Sequence, residues 1–515
     1  LSDFAVLSGG LRTSVPLIDY EGPAAAIRII SAERIHVEHL AIDIKSVADQ
    51  PGRAVKMHES LLDATFRNNR IHAPIGFCGW ENNDHPLLLD NVAIRENTMV
   101  VEAAGVHIDG QAYFRGDVTV ADNRISGSAQ RAAITARGST SDDGATLVKR
   151  NHITIAEGAG ILVGSAGITV TDNIVTAHPP DIADIFVANG ITSDPNGEKS
   201  ENSCPTRICG NQVSGFLGAA IDVRHATVAI DVCDNQVHDT GDGIAIRFQV
   251  SDMSARVSGN TLRDILSRFG GGAQMVAGIL IAGAAGAEVA DNTVIRVGPE
   301  RNPECTAVGV LLYGIAGCRV LGNDITDVGY PMDPGQSFDC TVLAVSRITL
   351  HGNQSARQRG YPTADRARGV GLLVQSVLGD FAAALNPDTA YIDDQVVYSD
   401  GGSWLGNPAL EPACAIDGNT WTGSIEQPAV VIETREHPVV LANNICNAPD
   451  FSTAFTVQIA GHSAAITGNH IRGGQHSLAL GVSNTRLSVL GNLVSAGSIS
   501  GLPAGFAPFN IYGVN

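Results

Sequence analysis

An asparagine followed, after one residue, by an apolar residue returns along almost the whole chain. It stands at Asn69, Asn97, Asn123, Asn151, Asn211, Asn235, Asn260, Asn292, Asn323, Asn443, Asn469 and Asn492, with close variants at Asn173, Asn353 and Asn419. Successive steps run from 22 to 32 residues, except for 38 after Asn173 and 66 after Asn353. A marker at that spacing belongs to repeat folds, in which one supersecondary unit stacks on the next and the body grows without splitting into separate domains.

Between the asparagines a second apolar segment returns as Gly160-Ile-Leu-Val163, Gly243-Ile-Ala-Ile246, Gly278-Ile-Leu-Ile281, Gly309-Val-Leu-Leu312 and Gly371-Leu-Leu-Val374. These segments are too short for helices, are rich in β-branched residues and are bounded by Gly, Asn and Asp, so they are expected as strands. With 57 Gly and only 5% aromatics, the core has to be thin and aliphatic. Strands of one coil then pair in register with those of the next, about 4.8 Å away. The expected fold is all-β, a right-handed parallel β-helix of roughly 14–16 coils, its hand taken from the general preference for right-handed parallel crossovers. An asparagine at each tight corner suits this fold, because Asn tolerates the left-handed conformation and can bond to its copies in adjacent coils. One domain covers 1–515, with 1–25 as an entering coil, 179–209 and 357–418 as loop insertions and 495–515 as a C-terminal tail. Cys209 and Cys233, each two residues before a repeat asparagine, are expected to stack as a buried thiol pair.

The formal net charge of −20 argues against nucleic acid or an anionic membrane surface, both of which are met by Lys and Arg. The longest apolar run, Val276 to Ala287, is far short of the roughly 20 residues needed to span a bilayer, so no membrane insertion is expected. The nine cysteines lack CxxC spacing and frame neither a disulfide scaffold nor a zinc site.

From Ala26 to about Val494 the repeat resembles the pectin-lyase-like superfamily of β-helices, which implies the fold but no single activity. The motifs of its best-defined enzymes are missing: Gly241-Asp-Gly243 and Gly461-His-Ser463 are the nearest fragments to a polygalacturonase set, and Asp194-Pro-Asn-Gly197 only echoes that of the alginate epimerases. The last coils, Ala464-Ala-Ile-Thr-Gly-Asn-His-Ile-Arg-Gly-Gly474, Leu487 to Gly497 and Ala507-Pro-Phe-Asn-Ile-Tyr512, look like the closing coils of large bacterial β-helix proteins associated with phage-tail-like contractile injection systems. That likeness implies a structural or adhesive appendage.

Four residues past the marker, successive coils carry Asp239, Asp264, Arg296, Asp327 and Arg357, whereas other coils carry Gly215, Ala73 or Val101. Asp239 and Asp264 would lie about 4.8 Å apart, near the spacing of a retaining glycosidase pair. Asp264 and Asp327 would lie about 9.6 Å apart, at the edge of the inverting range. Arg296 between them would depress both acids, so a lyase using Arg296 or Arg357, with the acids holding calcium, is a further possibility. The same column also fits a ladder of opposite charges that merely avoids like charges in register. His238 and Asp242 flank it, and Tyr330, Tyr361 and Trp404 are candidate sugar-stacking platforms.

Together these features lead to an extracellular or cell-surface β-helix presenting a lateral groove to a polysaccharide or glycan, with further subunits end-on or in a homotrimer. The alternative is a polysaccharide lyase or glycoside hydrolase using Asp239, Asp264, Asp327 and Arg296. No resident cofactor is called for beyond calcium in the lyase case.

Overall fold

The computed structural model divides the chain into two compact units, Leu1–Val237 and His238–Asn515. It describes residues 2–13 and most of 25–512. Outside the described residues are 45–50, 80–86, 179–188, 195–204, 225–228, 248–253, 268–274, 358–368, 377–413 and shorter stretches between strands.

In the first unit a coil has three strands, as in Val118–Ala121, Arg124–Gly127 and Ala132–Arg137. Each pairs in parallel with its counterparts in the coils before and after, so that Val120 meets Ile94 and Val148, Ile125 meets Met99 and Ile153, and Ile134 meets Val106 and Ile161. The strand period of two turns all of these inward, where they are buried. Phe66 and Phe77 widen the early core in an edge-to-face contact at 5.4 Å. The second unit repeats the plan, for example in Ser254–Ser258, Thr261–Ser267 and Met275–Ala282. Its inner column runs Ile246, Ile281, Leu312, Val342. Glycine opens the returning strand because adjacent coils touch there: a Cβ on Gly243 would lie 2.0 Å from the Gly278 carbonyl oxygen.

The repeat asparagines form a bonded ladder inside each unit. Asn123 Oδ1 accepts from the Asn97 N–H at 3.0 Å and from Asn97 Nδ2 at 2.9 Å, while Asn123 Nδ2 donates to Ile94 O at 2.9 Å and to Asn151 Oδ1 at 3.0 Å. Both donors and both acceptor sites of the amide are thereby used. Among the described residues the first unit's rungs are Asn69, Asn97, Asn123, Asn151, Asn173, Asn211 and Asn235. Those of the second are Asn260, Asn292, Asn323, Asn353, Asn419, Asn444, Asn469, Asn492 and Asn510.

Four expectations change here. The left-handed residue is the one before each rung from Asn69 to Asn492 in turn, such as Asp122 at φ 58° or Gly468 at φ 66°, and not the asparagine itself. The turn is made by that residue, which aims the next side chain into the ladder. By the same rule Asn443, at φ 52°, is a corner and Asn444 is the rung. Asn510, 18 residues after Asn492, adds a rung within the expected tail. Strands Ile191–Ser193 and Thr206–Cys209 likewise lie within the expected loop 179–209, and Gly369–Ser376 within 357–418, all paired into coils.

Cys209 and Cys233 stack in register, but as a disulfide rather than as two thiols. Val232 points inward, so the residue after it points out. Two outward side chains in register, with Cα atoms 4.5 Å apart, meet the geometry of a disulfide between adjacent coils.

Replacing Asn151 by Ala would leave the Asn123 N–H and amide without their acceptor in a buried site. At about 1–3 kcal/mol for each orphaned group, urea denaturation should show a loss of about 3 kcal/mol or more. Asn151→Asp, which supplies the acceptor but not the donor, should recover only part of it. Ile246→Ala should cost about 2–5 kcal/mol as a core truncation.

Candidate functional site

The charged stripe of the second unit is a line of corner residues. Asp239, Asp264, Arg296 and Asp327 have φ of 55°, 57°, 58° and 55°, and in the first unit the same place is taken by Gly127 and Gly215. Their side chains are engaged to different degrees. Arg296 Nε and Nη2 hold the two carboxylate oxygens of Asp264 in a bidentate pair, and that bond raises the Arg296 pKa further above its ordinary value. An identical fork, Arg150 to Asp122 at 2.7 and 2.8 Å, stitches neighbouring coils at the other corner in the first unit, away from any candidate site. The Asp264–Arg296 pair is therefore a recurrent way of tying corner to corner. Both carboxylate oxygens of Asp264 are thus engaged by the Arg296 guanidinium.

Asp327 is buried, whereas Asp239 is exposed, with His238 Nδ1 3.3 Å from its carboxylate. Asp242 Oδ1 accepts from the Ala277 N–H at 3.1 Å, a coil-to-coil bond. Arg357 ends the strand Gln354–Arg357 and pairs with Gly423. Tyr330 is half-buried, its carbonyl oxygen 2.4 Å from where a Cβ on Gly298 would lie. Tyr361 and Trp404 lie outside the described residues, as does most of the expected loop insertions 179–209 and 357–418.

One set of metal-capable atoms comes together among the described residues: the sulfurs of Cys209 and Cys233 and a carboxylate oxygen of Asp231, all within 4.8 Å of one another. The disulfide occupies both sulfurs, leaving no thiolate to ligate. Among the other cysteines, burial pushes the thiols of Cys414 and Cys446 up to about 12. Burial and, after it, the nearby Asp242 carboxylate push that of Cys305 up to about 11. These three are protonated and inert at neutral pH.

A second constellation lies on the outer face of the returning sheet in the first unit. Pairing aligns Lys56, Cys78, His107, Thr135, Leu162, Thr192 and Asp222 into one column. Alternation with the inward column Val55, Phe77, Val106, Ile134, Ile161 turns it out from the core, yet all but Leu162 are withdrawn from solvent. At its far end Asp222 is held by Arg224 at 2.6 Å and by Asn189 Nδ2 at 3.0 Å. At its near end Arg53, Lys56 and His58 are all buried, with Arg28 in register with Lys56. Burial, then the neighbouring Lys56 and Arg28 charges, hold the His58 imidazole down to about 4. The Lys56 ammonium is likewise lowered by burial, followed by Arg53. The sequence signal was present: Lys56 and His58 alternate with Val55 and Met57, whereas Gly243-Ile-Ala-Ile246 carries no charge.

A family model described as the right-handed beta helix region matches residues 104–294. No curated protein and no solved structure matches the chain. The strand pairing and the family match agree on a right-handed parallel β-helix.

Because native His58 holds a proton more weakly than the unfolded chain does, stability is complete above about pH 6.5 and declines as pH falls toward 4. The decline attributable to this group should reach about 3 kcal/mol, at roughly 1.4 kcal/mol for each unit of displacement. Urea denaturation between pH 4 and 7 should show His58→Gln flattening that part of the curve.

Proposed function

We propose that the chain is a recognition β-helix of an extracellular or surface assembly, phage-tail-like in kind, that holds a glycan against its side and does not cleave it. The observation carrying this reading is the closed Asp264–Arg296 pair: the central acid of the stripe is committed to a coil-to-coil bond of the kind that Arg150 and Asp122 make elsewhere. The exposed Asp239 and His238 beside it are free to bond sugar hydroxyls. The outward disulfide favours an oxidising compartment. Exposed Phe509, Ile511 and Tyr512 around the last rung favour an end-on protein contact.

A glycan array read together with a product assay decides between recognition and cleavage. Binding to at least one polysaccharide, without release of reducing ends or unsaturated uronic product, is the expected result. Asp239→Ala with His238→Ala should weaken that binding by about tenfold, as loss of direct polar contacts. Asp264→Asn should leave it within a few-fold and cost less than about 1 kcal/mol of stability, since Asn also tolerates the left-handed corner. Product release abolished by Asp264→Asn would instead establish a lyase or hydrolase, and absence of binding to any glycan would also overturn the proposal.

A further inference from the structure

Three atoms of the kind that ligate metals meet on the outer face of the first unit, on the strands Thr206–Cys209 and Ile230–Cys233. Val232 is turned into the core, so Asp231 and Cys233 on either side of it share the outer face, and register brings Cys209 of the preceding coil beside Cys233. Cys233 Sγ lies 3.8 Å from Asp231 Oδ2, and the two sulfurs and a carboxylate oxygen all fall within 4.8 Å of one another. Asp231 Oδ1 is buried and has no hydrogen-bond partner among the described residues.

A disulfide gives no reason for that carboxylate. The S–S bond is uncharged and has no proton to donate, and a buried carboxylate oxygen left without a bond is costly. Nor does the strand call for an acid, since the same outward column carries Thr119, Leu147 and Thr169 in earlier coils. With the sulfurs as thiolates, the same three atoms become the donor set of a thiophilic divalent cation. Around a tetrahedral zinc ion, bonds of about 2.3 Å to sulfur and about 2.0–2.2 Å to oxygen put neighbouring donor atoms roughly 3.5–3.8 Å apart. The sulfur–carboxylate separation already matches, and the parallel register holds the two cysteine Cα atoms 4.5 Å apart, close enough for both thiolates to reach one ion. Three negative donors exceed the charge of a divalent cation by one, and the Arg207 cation stands in register with Asp231.

We propose that Cys209, Cys233 and Asp231 form a site for zinc, or a divalent cation of like softness, in the reduced chain, and that the disulfide is the closed form of the same site. A dithiol reductant opens it: two electrons and two protons pass to the Cys209–Cys233 bond, which breaks to two thiols while the reductant closes to its own disulfide. Each thiol then gives its proton to solvent and a sulfur electron pair to the cation, and the Asp231 carboxylate supplies the third bond. The cation is held in a reducing compartment and leaves when the disulfide forms in an oxidising one. The site is separate from the corner stripe and stands whether or not that stripe binds glycan.

The test compares the oxidised full chain with the chain kept reduced by a phosphine, which adds no thiol to compete for metal and becomes its oxide by taking oxygen from water. Thiol titration after denaturation should count two more thiols in the reduced chain, and circular dichroism should show its β-fold retained. Cobalt(II), a spectroscopic substitute for zinc, should give a sulfur-to-metal charge-transfer absorption with the reduced chain and none with the oxidised one. Zinc should displace the cobalt and raise the melting temperature of the reduced chain. Asp231→Asn, which leaves both cysteines in place, should keep the absorption but weaken cobalt binding by at least the roughly tenfold that even an outer-shell group contributes. Cys209→Ser with Cys233→Ser should abolish the absorption. A reduced chain that unfolds or gives no charge-transfer absorption overturns the proposal. So does undiminished affinity in Asp231→Asn, equal cobalt binding by the oxidised chain, or absorption that survives in the double serine variant.

Discussion

The structure depends on one demand, that each coil lie on the next in fixed register. Parallel strands can meet it along their backbones, but a corner cannot, because there the chain leaves the sheet and its amides lose their strand partners. The asparagine ladder solves this at the same place in coil after coil. A side-chain amide has two donors and two acceptor sites, and each rung uses all of them between the coil before and the coil after. Ahead of every rung but Asn510 a left-handed residue makes the turn that delivers the amide to the ladder, and ahead of Asn510 a short 3-10 helix does.

What could be read beforehand follows from that demand. The period and the strands were legible because the ladder needs an amide at one place, and the core needs Val, Ile and Leu at alternate ones. The Asn443-Asn444 pair was ambiguous for a physical reason: asparagine is good at both jobs, turning the corner and bonding the ladder. Cys209 and Cys233 were correctly stacked and correctly buried but wrongly left as thiols, since the 4.5 Å approach of their Cα atoms shows only once the register of the two strands is known. The stripe could be counted from the sequence, but not that Arg296 would close on Asp264. The burial of Lys56 and His58 was missed because their alternation with Val55 and Met57 marks them as outward-facing and does not record whether an outward side chain is exposed.

Charge is handled in opposite ways at the two places considered. At the corners of the second unit Asp264 and Arg296 sit one coil apart with opposite charges, and their pairing is the sort a repeat fold produces by itself. On the returning sheet of the first unit, Arg53, Lys56 and His58 cluster with their charges unfavourable to one another. A solenoid has ample surface on which to place cations in water, so withdrawing them is the more informative of the two arrangements.

The ladder also has an electrical direction. In each unit every ladder carbonyl faces the preceding coil and accepts from it, and every rung-to-rung N–H points to the following one, from Asn69 toward Asn235 and from Asn260 toward Asn510. The amide dipoles therefore add along the axis instead of cancelling, as peptide dipoles do in an α-helix. Each rung polarises its neighbours, so rungs in the middle of a row bond more strongly than those at its ends. At the start of the first unit's row the acceptor pole meets ordinary backbone, the Leu40 N–H donating to Asn69, and at the end of the second unit's row the donor pole does, the Phe506 carbonyl accepting from Asn510. A row of side chains that looks like a structural seam is thus also a line of aligned dipoles, with a negative pole toward the first coil of its unit and a positive pole toward the last.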